Sequence, residues 1–120
     1  MAVELSVYAK KESTYVVTAS FYDEDSNLVV PDTIKWTLTN MGGTVINSRA
    51  NVVIAVPLSQ VEIVLSGDDL AALAGDISST PKRLVTVEAT YTSALGAGLP
   101  LNGSAVFTLD LEDIILVPTP

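Results

Sequence analysis

The densest group of oxygen donors in this chain is Asp23-Glu24-Asp25-Ser26-Asn27. Carboxylates and amides at such spacing suit a hard cation, and Asp23, Asp25 and Asn27 imitate the first three ligands of an EF-hand loop. That loop next requires a glycine, where Leu28 stands, and a closing glutamate, where Ile34 stands. The EF-hand therefore fails. A looser calcium site at the end of a sandwich, joined by Asp32 or Asp76, competes with a solvated turn. The turn is the preferred reading, because Asp, Ser and Asn bond their own backbone in turns.

Other polar groups have similar alternatives. Asp68-Asp69 reads better as a helix cap than as a ligand pair. Asp110, Glu112 and Asp113 could include the paired carboxylates of a glycosidase. Asp110 and Glu112 alternate onto the outer face of a strand, however, with no aromatic cleft suggested beside them. Trp36 could stack on a sugar, but it shares its face with Ile34 and Leu38 and reads as core. The chain has no cysteine and no histidine. A Ser-His-Asp triad, a Cys-His dyad and a histidine-bound metal centre are thereby excluded. The expectation is a non-enzymatic protein with no catalytic residue, no metal ligand and no cofactor.

Charge narrows the partners. Fourteen acidic residues against six basic ones give a formal net charge of −8. Nucleic-acid binding draws its affinity from Lys and Arg on phosphates, so neither DNA nor RNA is an expected partner. The basic pairs Lys10-Lys11 and Lys82-Arg83 abut strand starts and read as solvated charge. No run of apolar residues approaches the roughly 18 that a membrane helix needs. Met1 to Lys11 lacks the pattern of a secretory signal. A soluble protein made in the cytoplasm, without a membrane partner, is the expectation.

The elements that must position these groups are strands. A chain of 120 residues suits one domain, and period-2 alternation recurs along it. Val3, Leu5 and Val7 face inward from strand A, Val3 to Tyr8. Tyr15, Val17, Ala19 and Phe21 do so from strand B, and Ile34, Trp36 and Leu38 from strand C, Ile34 to Thr39. Met41-Gly42-Gly43 makes a hairpin turn into a short strand C′, Thr44 to Asn47. Val52 to Val56 follows with its register open. Strand E turns Val61, Ile63 and Leu65 inward. Asp68 caps one helical turn that Gly75 ends, with Leu70 and Leu73 folded onto the core. Val85, Val87, Ala89 and Tyr91 mark strand F. A long loop from Ser93 to Asn102 precedes strand G, where Ala105, Phe107, Leu109 and Leu111 face in. The pattern predicts an all-β, immunoglobulin-like sandwich of about 7–8 antiparallel strands, with one short helical turn between E and F.

The sandwich is assigned residues 1–111 and a tail residues 112–120. Ile114, Ile115, Leu116 and Val117 are consecutive apolar residues before Pro118-Thr119-Pro120. They either extend strand G or dock onto another chain. Their side-chain directions alternate in a strand, so burying all four requires two surfaces.

The run from Val16 through Phe21-Tyr22-Asp23-Glu24-Asp25-Ser26-Asn27 to Pro31, then Ile34-Lys35-Trp36, resembles bacterial immunoglobulin-like (Big) domains. Their strand B ends in an aspartate-led turn, often Asp-x-x-Gly-Asn, before a proline and an aromatic-centred strand C. Ser26 stands here in place of that glycine. Val85-Thr86-Val87-Glu88-Ala89-Thr90-Tyr91 is similar to the corresponding family strand. The likeness covers roughly residues 13 to 110 and specifies a fold without an active site. Small acidic proteins of this type, with the stretches Lys11-Glu12-Ser13-Thr14-Tyr15-Val16-Val17 and Val64-Leu65-Ser66-Gly67-Asp68-Asp69-Leu70, resemble immunoglobulin-like structural proteins of tailed phages. That resemblance implies a virion component at a head, neck or tail surface, made in the host cytoplasm and carried in the particle. Its partners would be other virion structural proteins and further copies of itself. The alternative is an adhesin-type or carbohydrate-binding module.

Overall fold

Alternating side chains become a core when two sheets turn their apolar faces toward each other. The computed structural model describes residues 3–73, 76 and 80–111. In chain order these form β1 (Val3–Glu4), β2 (Ala9–Lys10), β3 (Thr14–Ser20), β4 (Thr33–Asn40), β5 (Val52–Val53), β6 (Gln60–Ser66), a 3-10 turn (Gly67–Leu70), β7 (Lys82–Ser93) and β8 (Gly96–Asp110). The larger sheet runs β1-β8-β7-β4-β5, with β2 also on β8, and faces a two-stranded β3-β6 sheet. The protein is an all-β sandwich in which β4, β7 and β8 oppose the β3-β6 pair.

The inward sets expected for strands B, C, E and F are buried or half-buried. Leu38, Leu65 and Val85 are fully enclosed, and Trp36 keeps 7% of its surface. Tyr15 packs on Phe107 at a ring-centroid distance of 4.9 Å, joining β3 to β8 across the core. On β8, Phe107 and Leu109 are buried and Ala105 is half-buried against them. The unsettled stretch after residue 51 also resolves: Val52 and Ile54 pack toward the core while Val53 points outward.

Five features differ from the sequence reading. The first is strand A, which pairs parallel to β8, with Val3 opposite Ala105 and Ala9 opposite Leu109. Between Glu4 and Ala9 the chain carries more residues than the facing part of β8, from Val106 to Leu109. The excess is pushed out as a bulge, so Val7 and Tyr8 are exposed, and so is Val3 at the sheet margin. Alternation cannot survive such an insertion.

Secondly, the stretch from Gly96 to Asn102 is strand and not loop, because β8 starts at Gly96. Pro100 is accommodated by parity. Leu109 N–H bonds Pro81 C=O at 2.8 Å, which makes the odd-numbered β8 residues the ones that bond β7 in this register. The proline nitrogen therefore faces the outer edge, where no donor is required.

Thirdly, Thr44 to Asn47 forms a single bridge, Thr39 to Val45, before the chain turns left-handed at Asn47 (φ 52°) and Ser48 (φ 58°). Fourthly, Arg83 is 1% exposed and not solvated. Fifthly, Leu70 is buried as expected, but the turn before strand F, Gly67–Leu70, takes Ser66 as its N-cap, and Asp68 lies within it. Its proposed end at Gly75 lies outside the described residues.

Candidate functional site

At the acidic end, Asp23 spends its carboxylate on its own loop. Its Oδ1 accepts from Asp25 N–H at 2.9 Å and Asn27 N–H at 3.0 Å, and Ser26 N–H bonds Asp23 C=O at 3.0 Å. Ser26 sits at φ 64°, the left-handed conformation that favours glycine. That position is where the resembled turn carries glycine. Glu24 Oε1 accepts from Tyr91 O–H at 2.7 Å, and Asp32 Oδ2 accepts from Thr92 Oγ1 at 2.7 Å. The bond to Glu24, helped by burial, holds the Tyr91 phenol above its ordinary pKa.

Asp76 does not join this end. It pairs with Arg83, which precedes Tyr91 on β7 by about 26 Å at the usual strand rise. Among the described residues no group of His, Cys, Asp and Glu is placed to hold a metal ion. Calcium titrated into the protein is expected to give no saturable heat in the micromolar range. Micromolar affinity that disappears on Asp25→Ala would contradict this assignment of the turn.

Two carboxylates, buried Asp69 and half-buried Asp76, hold the opposite end together. Asp69 is 1% exposed. Its Oδ1 accepts from Asn47 Nδ2 at 2.9 Å and Arg49 Nε at 2.8 Å, and its Oδ2 from Ser66 N–H at 3.1 Å. Burial alone would raise this carboxyl's pKa, but the bonds from Arg49, Asn47 and Ser66 outweigh it and hold the pKa low. Asp69 thus completes the N-terminal cap of the 3-10 turn by holding the N–H of the N-cap residue Ser66, and it also anchors the irregular segment after β4. The left-handed residue Asn47 matters here, because the turn it makes carries its own amide and Arg49 to the carboxylate.

Asp76 binds the buried Arg83 through two bonds, Nη1 to Oδ1 at 3.0 Å and Nη2 to Oδ2 at 2.8 Å. Asp76 Oδ2 also accepts from Leu73 N–H at 2.7 Å. Arg83 foremost, then the Leu73 amide, keeps the Asp76 pKa low against the opposing effect of burial. Arg83 Nε is buried without a partner among the described residues. These two networks have the paired charges and dense bonding of a structural clasp.

Asp110 bonds Lys10 Nζ at 2.9 Å across β2 and β8. Glu112 and Asp113, the other members of the possible carboxylate pair, lie outside the described residues. So do Ile114, Ile115, Leu116 and Val117.

The feature that sequence reasoning missed is an open side. The β3-β6 sheet has no strand beyond β3 among the described residues. A cleft of about 280 Å³ opens beside that edge, lined by Val3, Leu5, Val17, Ala19, Leu101 and Ala105 among others. Farther along, Val7 and Val16 border a second depression with Tyr15. Val3 is 62% exposed, Val7 69% and Val16 44%. One signal was present in the sequence. Val3, Leu5 and Val7 alternate as though a surface covered them, and β3 is the neighbour that does not pair with them.

Comparison with family models finds no match, and neither does comparison with curated proteins or with solved structures.

Proposed function

We propose that this protein is a non-enzymatic structural component of a phage virion, working through contacts with other protein chains at a head, neck or tail surface. The observation that carries the contact part of this reading is the open apolar side. Exposed Val3, Val7 and Val16 lie along one margin of the sandwich, beside the edge of β3 that has no partner among the described residues and a cleft with aliphatic walls. Contiguous exposed apolar surface of this kind marks interaction sites. The virion part rests on the resemblance of the Val16–Trp36 and Val85–Tyr91 stretches to Big-type domains, and of the small acidic chain, with its Lys11–Val17 and Val64–Leu70 stretches, to the small immunoglobulin-like proteins of tailed phages. The −8 charge favours colloidal solubility before assembly.

An adhesin or sugar-binding module would be favoured by exposed aromatics gathered on one platform. Tyr8 and Tyr22 are exposed, but Tyr22 follows the last residue of β3 while Tyr8 adjoins Val7, whose carbonyl bonds the Tyr15 hydroxyl near the start of β3. Tyr22, two residues past Ser20 at the end of β3, and Tyr8, near its start, lie toward opposite ends of the strand.

Mass spectrometry of purified particles from the source is expected to find this chain. Deleting residues 114–120 is expected to abolish its incorporation while leaving the melting transition largely intact. Particles that lack the wild-type chain would overturn the virion reading. Normal incorporation of the truncated chain would overturn the role given to the tail.

A further inference from the structure

We infer that the cleft beside β3 is an acceptor groove for the Ile114–Val117 segment of a second copy of this chain, which adds to the β3 edge as an extra strand. This rests on the assembly reading above and gives it a surface and a direction.

Parity in the β3-β6 ladder identifies the free groups. Phe21 N–H bonds Ser59 C=O at 2.9 Å, and Gly67 N–H bonds Ser13 C=O at 3.0 Å. Both pairs continue the register in which Tyr15 faces Leu65 and Val17 faces Ile63. Odd-numbered residues of β3 are therefore the ones that exchange bonds with β6. The N–H and C=O groups of Val16, Thr18 and Ser20 consequently point to the open edge. An edge of this kind is a template for a further strand.

The cleft supplies the side-chain part of the match. An added strand puts alternate residues onto opposite faces, so two of the four apolar residues would enter the cleft between Val17, Ala19, Leu101 and Ala105. The other two would meet the outer margin near exposed Val16. That arrangement supplies the two surfaces that four consecutive apolar residues demand.

Chain length decides between the molecule's own tail and another's. Leu111 follows Ala105, at the near rim of the cleft, by about 20 Å of strand, and follows Leu101, at the far rim, by about 33 Å. Ile114 can lie no more than roughly 11 Å from Leu111, and Val117 no more than roughly 22 Å. Even without a reversing turn, the molecule's own segment could bring only Val117 to the near rim. Seating all four residues requires a segment from another molecule. Two copies that each seat a tail in the other's groove form a closed two-fold dimer, whereas an unreciprocated contact propagates copies head to tail or closes them into a ring.

Sedimentation equilibrium on full-length protein tests this. Wild type is expected to self-associate. Val16→Lys, which charges an exposed edge position, and Thr18→Pro, which removes an outward-facing N–H, should each weaken association at least tenfold. Ile115→Asp combined with Leu116→Asp should do the same by disabling the donor. Mixing the donor-disabled protein with Val16→Lys tests the direction. Neither associates alone, but the Val16→Lys tail can still fill the intact cleft of the other, so mixed dimers should not exceed one such contact. To keep the readout clean, the acceptor-blocked partner should be labelled and the mixed complex measured as a 1:1 species. Two results would overturn the proposal. If the tail substitutions dissociate the protein while Val16→Lys and Thr18→Pro leave it associated, the tail docks elsewhere and the assembly reading survives. If wild type stays monomeric at every concentration, the second-copy groove is wrong, whereas the virion reading is decided separately by particle composition.

Discussion

Asp76→Ala is expected to lower stability by about 3–5 kcal/mol, the usual cost of removing one partner from a buried ion pair. Arg83 is 1% exposed, and Asp76 supplies both acceptors for its terminal nitrogens. Removing the carboxylate would leave a guanidinium buried on β7 with, among the described residues, only the 3.3 Å bond from Nη1 to Lys82 C=O. Urea denaturation monitored by circular dichroism measures the loss. Adding Arg83→Met to Asp76→Ala should recover most of it, because an apolar side chain of similar length needs no counter-ion there. If the single substitution costs less than about 1 kcal/mol, the range expected of an exposed ion pair, the clasp assignment fails.

The same pair dictates a pH response. Asp69 and Asp76 both have folded-state pKa values below those of the unfolded chain. Their contribution is fully present above the unfolded carboxylate pKa, about 3.9, and is lost as pH falls through the lower folded values. Stability should hold steady through weakly acidic pH on their account and decline below about pH 4. In Asp76→Ala the acid-side slope should be shallower. An unchanged slope would show that Asp76 does not carry its share.

Trp36→Ala is the second large effect, at about 3–5 kcal/mol for loss of a buried tryptophan. Trp36 projects from the middle of β4, with Val87 opposite it on β7 and Val52 opposite it on β5. No neighbour can refill that volume without moving a strand that is paired on both sides. The midpoint of urea unfolding should fall with the slope retained, which would indicate a change in stability and not in compactness. Because Trp36 is the only tryptophan, circular dichroism must serve as the probe for both proteins. A loss near zero would place the residue outside the energetic centre of the sandwich.

The central strands were legible because each buries one face, and burial of one face writes itself as period 2. Ile34, Trp36 and Leu38 or Val61, Ile63 and Leu65 need no other information. What escaped reading was set by relations between distant parts. The partner of strand A depends on β8, and the bulge before Ala9 is invisible until the two are aligned. Pro100 and the neighbouring glycines announce a loop locally, yet β7 supplies a template that lets them run as strand. Arg83 looks solvated beside Lys82, because nothing local reveals the carboxylate of Asp76. The acidic turn was the exception among polar groups. Its bonds span only a few residues, so residue types alone conveyed them. The cleft was least legible of all, since it arises from a pairing that strand A makes elsewhere.

The pairing of Val3 with Ala105 has a consequence for the time course of folding. These partners are separated by nearly the whole described chain, whereas β7 and β8 meet through a tight hairpin closed at Ser93 and Gly96. Closing a long loop costs more entropy than closing a short one, and distant pairings slow the search. The hairpin can therefore form early, while β1 has no place to bind until β8 exists. During synthesis the first strand emerges long before its template does. For that interval the aliphatic side chains of Val3 and Leu5 lack the strand edge that later holds them, and the nascent chain is most exposed to mispairing then. Among the described strands, the one made last brings the first one home.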